Sequence, residues 1–365
     1  MFSNSELILI EDLKAGMILA EAVISDTGKI LLESGLYLTE NNIKKLIKWR
    51  TSYVSVKQPC KIDPLRENFL ATYEKTLILV AEAFEETRAF GEVPIKKCEE
   101  LIDNYIDLMT HVTGVISMLH CTKSHNEYTF GHSLNVAIIA GVLGKWLGFK
   151  GEELRDIILS GLLHDIGKMY TPINILDKPS KLTDEEMETI KTHPQHGYQL
   201  LSDCGEITLD AKFGILQHHE RLDGSGYPQG LKGEDIHSYA NIVAIADVYD
   251  AMSSKRVYRS QVPPFVVIEI IFEQMYDKLN PEMCLIFLTN IRKSMMGSLV
   301  LLSDGRQGKI IVLHDLLQIR PVIQLVNGDL IDLERNRQLE VVTVSDDHFS
   351  IENLDQYDTK SIENQ

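Results

Sequence analysis

Residues 164–168 read His-Asp-Ile-Gly-Lys, and residues 218–228 read His-His-Glu-Arg-Leu-Asp-Gly-Ser-Gly-Tyr-Pro. An adjacent His-Asp pair and an adjacent His-His pair put nitrogen and oxygen donors within one helical turn or at one helix end. Such a set suits a cluster of divalent metals that accept both donors. A hydrolytic metal site is the leading expectation from these two stretches.

The chain around them supplies further candidates: His132 in Phe130-Gly131-His132-Ser133, His193 in Thr192-His193-Pro194, and Asp247 in Ala246-Asp247-Val248-Tyr249-Asp250. A lone histidine on a helix is more often a hydrogen-bonded structural residue than a ligand. Asp247 is harder to dismiss, because a carboxylate among apolar neighbours is costly to bury without a cation beside it. His132, His164, Asp165, His193, His218, His219 and Asp247 together are enough donors for two metals. Asp165 is the natural bridge, having two oxygens to share.

This set resembles the HD-GYP family, the branch of HD-superfamily phosphohydrolases that cleaves cyclic dinucleotides, chiefly cyclic di-GMP. The resemblance covers roughly residues 118–292. It rests on His164-Asp165, the trailing Lys168, Gly226-Tyr227-Pro228 after His218-His219, and Asp247, in the family's order, with Asp250-Ala251-Met252 and Arg256-Val257-Tyr258-Arg259 following. It implies a mainly α fold, an HD-type helical bundle with metals at its centre, and iron or manganese as the metals. The strand-rich pieces on either side look like flanking segments found in some members.

A pair of metals would hold a bridging hydroxide and polarise a phosphodiester. The expected reaction is hydrolysis of cyclic di-GMP to linear pGpG, with onward cleavage to GMP left open. Asp165 and Lys168 are the catalytic candidates. Lys168, three residues after Asp165, can project on the same side towards a phosphate oxygen; its alternative is a surface lysine. Arg256 and Arg259 share a face if their segment is helical and could grip phosphates, or could simply be solvated. Tyr227 could line a base pocket in a loop whose glycines permit tight turns. Arg221 and Asp223 are expected to stabilise that loop, and Asp250 to orient Lys168 or a metal ligand. Competing readings are a weakly catalytic cyclic-dinucleotide sensor that binds partners, and an HD phosphohydrolase of another nucleotide.

Some family members use a Glu four residues before the first His ligand for a third metal. Here that position is Tyr128 and the nearest carboxylate is Glu127. One residue of helix rotates a side chain by about 100°, and a phenol with a pKa of about 10 replaces a carboxylate poorly. Two metals are therefore expected, and a third is not.

Outside this region the texture changes. Residues 1–60 read as a small α/β or β-rich module, with a helix at Glu40–Trp49 and a strand at Tyr53–Val56. Prolines at 59 and 64 mark a linker. Residues 61–117 form a helical connector, with Phe69, Tyr73, Leu77, Val80 and Phe84 at helical spacing and a break near Gly91-Glu92-Val93-Pro94. Its apolar faces either pack on the next domain or pair two copies of the chain in a homodimer. Residues 118–292 carry helical patterns at Ser133–Leu147, Glu152–His164, Asp184–Leu201, Leu209–His219 and Ala240–Ala251. Residues 293–345 turn to strands, with a hairpin signal at Asn327-Gly328-Asp329, and 346–365 read as a mobile tail.

With 365 residues, 44% apolar and 24% charged, the chain is long enough for two or three domains and apolar enough to bury full cores. A net charge of −17 argues against binding nucleic-acid polymers or anionic membranes, though not against a small anion met by local positive charge. The sequence shows no membrane-spanning run and no signal-peptide layout, so a cytoplasmic setting is expected, and the HD-GYP resemblance implies a part in bacterial second-messenger signalling. The five cysteines form no CxxC pair and read as reduced, apolar side chains.

Overall fold

The computed structural model describes residues 5–345 except 15–16, 18, 25–29, 33–37, 39, 50–52, 58–63, 113, 120–127, 177, 179, 203, 206, 254–261 and 316–318. Two compact units divide the chain, the first ending at Glu67 and the second beginning at Asn68. The expected linker around residues 58–63 and the tail at 346–365 lie outside the described residues.

The first unit contains β1 (Ser5–Leu9), β2 (Val23–Ile24), β3 (Ile30–Leu32), α1 (Glu40–Lys48) and β4 (Tyr53–Lys57). β1 pairs antiparallel with β4, Ser5 opposite Lys57 and Leu9 opposite Tyr53, and β2 pairs with β3. Alternation along β4 points Val54 and Val56 inward and Tyr53 outward, as a strand with one buried face requires. Leu19, Leu38 and Leu46 complete a small core.

The second unit opens with α2 (Pro64–Phe90), whose first turn belongs to the preceding unit. α3 (Ile95–Leu101) follows and continues through a π-helical turn, Ile102–Ile106, into α4 (Asp107–Thr110). Phe69, Tyr73, Val80 and Phe84 of α2 and Ile95 and Cys98 of α3 are buried in the same core as the helices that follow. The connector helices therefore pack against the bundle. Ile78 and Phe90 of α2 remain exposed.

Next come α5 (Val115–Leu119), α6 (Tyr128–Trp146) and α7 (Gly151–Leu163), a 3-10 turn at Ile166–Tyr170, and α8 (Ile173–Leu176). Then follow α9 (Asp184–Lys191), α10 (His193–Leu200), α11 (Leu209–Gln217), α12 (Ser238–Ser253), α13 (Pro264–Gln274) and α14 (Pro281–Ser294). α6, α7, α11 and α12 pack on one another as the centre of the bundle. α6 is buried on all sides from Phe130 to Leu143, in keeping with its almost unbroken apolar sequence.

One expected helix, Asp184–Leu201, is two. Thr183 caps α9 through a reciprocal capping box with Glu186, and the chain restarts at His193-Pro194. Pro194 has no N–H for the ladder of α9 and suits the first turn of a new helix. The break puts His193 at a helix start.

β5 (Leu299–Leu302), β6 (Gln307–Val312), β7 (Val322–Leu325), β8 (Leu330–Asp332) and β9 (Val341–Ser345) form one antiparallel sheet in the order β8-β7-β6-β5-β9. Asn327-Gly328-Asp329 makes the β7–β8 turn, with Gly328 at φ 93°. Val300, Leu302, Ile310 and Ile323 of this sheet join the bundle core. Arg320 clamps the two layers, its Nε 3.1 Å from Glu269 on α13. No described helix is long and apolar enough to cross a membrane.

Candidate metal centre

The donors gather where helices of the bundle end. His164 closes α7 and Asp165 begins the turn into the 3-10 segment, while His218 closes α11 and His219 follows it. Thr208 anchors the start of α11 by accepting from Ala211 N–H. His193 opens α10, His132 lies in the first turns of α6, and Asp247 lies on α12. The carbonyl-rich C-terminal ends of α7 and α11 favour positive charge nearby. The 3-10 turn lies directly on α10, because a Cβ at Gly167 would run into the His193 carbonyl oxygen.

All seven sequence-predicted ligands meet. Asp165 Oδ1 lies 3.2 Å from His193 Nε2, and Asp165 Oδ2 lies 3.4 Å from His164 Nε2 and 4.0 Å from His132 Nε2. Asp247 faces the same space, with Oδ1 3.1 Å from His132 Nε2 and Oδ2 4.0 Å from His219 Nδ1. Among the described residues, three overlapping groups have donor atoms within ligating reach: His132, His164 and Asp247; His164, Asp165 and His218; and His193, His218 and His219. His219 has a side chain 20% exposed and marks the open side.

A repeated local device aims the rings. Nδ1 of His164 lies 2.8 Å from the Gly161 carbonyl, Nδ1 of His193 lies 2.7 Å from that of Ile190, and Nδ1 of His218 lies 2.7 Å from that of Ile215. Each ring thus donates Nδ1–H to the carbonyl three residues back, which selects the tautomer whose Nε2 carries a lone pair. His132 is held differently, its Nδ1 2.7 Å from Asp250 Oδ2.

The electrostatics follow from burial and neighbours. Burial alone would raise Asp165, but Lys168 and His164 outweigh it and hold the carboxyl well below its ordinary range. Asp247 is likewise held well below its ordinary range, against burial, chiefly by His132. Burial lowers His193, His218 and His219, so these rings are neutral at pH 7. His132 is the exception: burial opposes its charge, yet contacts with Asp247 and Asp250 raise it to about 9.

The set fits a divalent metal. Among the described residues, His164 Nε2 and Asp165 Oδ1 are buried without a hydrogen bond, which is costly unless a cation meets them. Mixed imidazole and carboxylate donors suit iron, manganese or zinc alike.

Substrate-side candidates rim the cluster. Tyr227 stacks on His219 with ring centroids 4.6 Å apart, and its phenol is pushed up by burial. Lys168 Nζ is 2.6 Å from Asp165 Oδ2, so its partner in this structure is Asp165 and not Asp250. Arg221 Nη1 donates to the His218 and Glu220 carbonyls, and Asp223 accepts from Ser225 N–H. Arg256 and Arg259, Glu127, and the side chain of Tyr128 lie outside the described residues.

Three polar residues near the centre were not singled out by sequence. The buried Glu220 carboxylate accepts from Gln229, Gly230 and Leu231 N–H at 2.6, 3.2 and 3.0 Å, holding the loop that carries Tyr227. Gly226 sits so close beneath that a Cβ there would meet Arg221 N and Glu220 Cα at 2.5 Å. Glu220 directly follows His218-His219, which was its only available signal. Asn135 and Tyr73, both buried, connect to Asp250. Of the remaining histidines, His111 and His237 pair with Asp107 and Asp210, and none of the three donor groups includes them.

Residues 116–282 match the HD domain family model. A cyclic di-GMP phosphodiesterase of Pseudomonas aeruginosa is 33% identical over 247 residues, covering 67% of this chain and 59% of that protein. A cyclic di-GMP phosphodiesterase response regulator of Xanthomonas campestris pv. campestris is 48% identical over 122 residues, 33% of this chain and 32% of the relative. The chain thus spans about a third to three fifths of the length of these relatives. Among solved structures, an HDG"Y"P protein from Bdellovibrio bacteriovorus superposes with a TM-score of 0.51 at 16% identity. It covers 79% of this chain and 98% of its own, a likeness of fold.

Proposed function

We propose, from the HD domain match over residues 116–282 and the 33% identity to a cyclic di-GMP phosphodiesterase, that the chain is a member of the HD-GYP family and a metal-dependent phosphodiesterase of cyclic di-GMP. The observation that carries the metal part is the convergence of imidazole Nε2 atoms on the buried carboxylates of Asp165 and Asp247. The substrate is inferred from what the relatives are named for.

We assign His132, His164, Asp165, His193, His218, His219 and Asp247 to two ions, iron or manganese, with Asp165 shared and no third ion. Divalent metals there would supply Lewis acidity and a water acidic enough to attack at neutral pH. The chain's own residues do the rest. Asp165 stays ionised beside Lys168, whose side chain is a quarter exposed and would meet a phosphate oxygen at the mouth. Tyr227 offers an aromatic face on the open side, beside His219. Asp250 fixes His132 so that its Nε2 faces Asp247. Arg256 and Arg259 are retained as proposed phosphate contacts.

All assigned ligands lie between His132 and Asp247, so residues 1–60 and 293–345 are proposed to be regulatory or structural. A homodimer through the connector stays a proposal, its surface the exposed Ile78 and Phe90 of α2; light scattering of the full chain tests it.

The decisive experiment incubates protein loaded with Mn(II) or Fe(II), under reducing anaerobic conditions, with cyclic di-GMP and in parallel with cyclic GMP-AMP. Chromatography should show linear pGpG from the former. Both substrates untouched would overturn the enzyme reading, and binding without turnover would favour a sensor.

A further inference from the structure

A buried line of hydrogen bonds runs from α2 to the metal centre. Tyr73 O–H donates to Asn135 Oδ1 at 2.7 Å, and Asn135 Nδ2 donates to Asp250 Oδ1 at 2.8 Å. The other oxygen of Asp250 accepts from His132 Nδ1 at 2.7 Å, and His132 Nε2 faces Asp247 at 3.1 Å. All four members of the line are buried, Tyr73 and Asp250 at 2% exposure, Asn135 at 6% and His132 at 5%.

The direction of donation is set by the carboxylate. Asp250 accepts only, so the amide of Asn135 must present its NH2 group to it. The flipped amide would set a carbonyl oxygen against a carboxylate oxygen. With the NH2 turned to Asp250, Asn135 Oδ1 faces the other way and needs a donor. Tyr73 supplies it from a helix 62 positions earlier in the chain. His132 and Asn135 lie three residues apart on α6, hence on one face, so a single side of that helix carries both the candidate ligand and the link to its support.

We infer that Tyr73 and Asn135 are positioning residues of the metal centre, acting through Asp250 to set the orientation and basicity of His132. This rests on the assignment of His132 as a metal ligand. It gives α2 a part in the centre besides packing, because the tyrosine hydroxyl that α2 delivers completes the line. A hydrogen-bonded line in a low-dielectric interior is cooperative, so loss of the terminal donor weakens the links beyond it.

The test is Mn(II) binding by the full chain, measured by calorimetric titration for wild type, Tyr73→Phe, Asn135→Ala, the double variant, and Val80→Ala. Tyr73→Phe keeps the ring and removes only the hydroxyl. It should weaken the site that uses His132 by about three- to tenfold, and Asn135→Ala by about tenfold, the low end of what orienting partners contribute. The double variant should bind no more weakly than Asn135→Ala alone, since the hydroxyl then has nothing left to act on. Val80→Ala trims a fully buried side chain of α2 that lies outside this line. It should lower the melting temperature of the chelated protein and leave Mn(II) affinity unchanged. Tyr73→Phe binding as tightly as wild type would overturn the inference, as would additive losses in the double variant or an equal loss in Val80→Ala. Wild type that binds no Mn(II) would instead overturn the metal assignment beneath it.

Discussion

The Nε2 atoms of His193 and His218 stand 3.2 Å apart, while Nδ1 of each ring donates to a backbone carbonyl three residues upstream. Two imidazole lone pairs facing each other at that distance repel unless a cation or a shared proton lies between or beside them. The backbone of α9 and α11, which supplies those two carbonyls, thus prepares the pair for a positive ion.

Metal removal should destabilise the protein. Binding at a hundredfold excess over the dissociation constant contributes about 2.7 kcal/mol per site. For a domain of this size that corresponds to about 5–10 °C in melting temperature. Scanning calorimetry with and without chelator checks this, and coincident transitions would contradict the assignment.

Asp165 and Lys168 should separate metal binding from turnover, although they touch. Asp165→Ala should lose both bound metal and activity. Lys168→Ala should retain the metals and lower kcat by about a hundredfold, the usual cost of one electrostatic contact to a developing charge. Metal analysis beside initial rates decides it; equal metal loss in both variants would refute these roles.

Metal affinity should rise with pH. His132 is raised to about 9, so below that pH a metal must displace one proton from the ring, whereas the lowered His193, His218 and His219 are already neutral. Affinity for Mn(II) should increase about tenfold per pH unit from 7 and level off above about 9. The apo protein should show the opposite trend from this group. A raised pKa stabilises the fold fully below the unfolded value of about 6.5, and that contribution disappears as pH rises through about 9. Titrations in two buffers of different ionisation enthalpy count the proton; release of none would exclude a protonated His132.

Glu220→Gln should act on the substrate loop and not on the metals. The carboxylate gathers three backbone N–H groups of residues 229–231. Charge-assisted bonds of this kind contribute about 1.5–3 kcal/mol. The variant should raise KM for the cyclic dinucleotide by about tenfold at unchanged metal content. Steady-state kinetics with parallel metal analysis tests it, and a loss of metal at constant KM would place Glu220 in the wrong role.

Tyr227 should matter as a ring. Its stacking on His219 needs the aromatic face and not the hydroxyl. Tyr227→Phe should therefore keep KM within about twofold, while Tyr227→Ala should raise it about tenfold, in line with a stacking contact of about 1–1.5 kcal/mol. Equal losses in the two variants would assign the role to the hydroxyl.

Much of this could be read from local sequence. His-Asp and His-His report on themselves because neighbouring donors at a helix end share a location by covalent connection. The apolar period of 69–84 and the alternation of 299–325 likewise report helix and strand from spacing alone, and Asn327-Gly328 reports a turn from the φ that glycine permits. What joined these pieces was not local. Asp250 was expected to orient Lys168 or a ligand, and only the packing of α12 on α6 selected His132, 118 positions away. Lys168 was placed towards substrate, and the turn after α7 bonds it to Asp165. Tyr73 read as one more apolar position of a connector, since a tyrosine at helical spacing buries its ring wherever its hydroxyl ends. Residue spacing determines which side chains share a face and which backbone ends are open. Which buried donor meets which buried acceptor depends on how helices far apart in sequence pack, because an unpaired polar group in the interior costs more than the core tolerates, and only the assembled bundle can supply its partner.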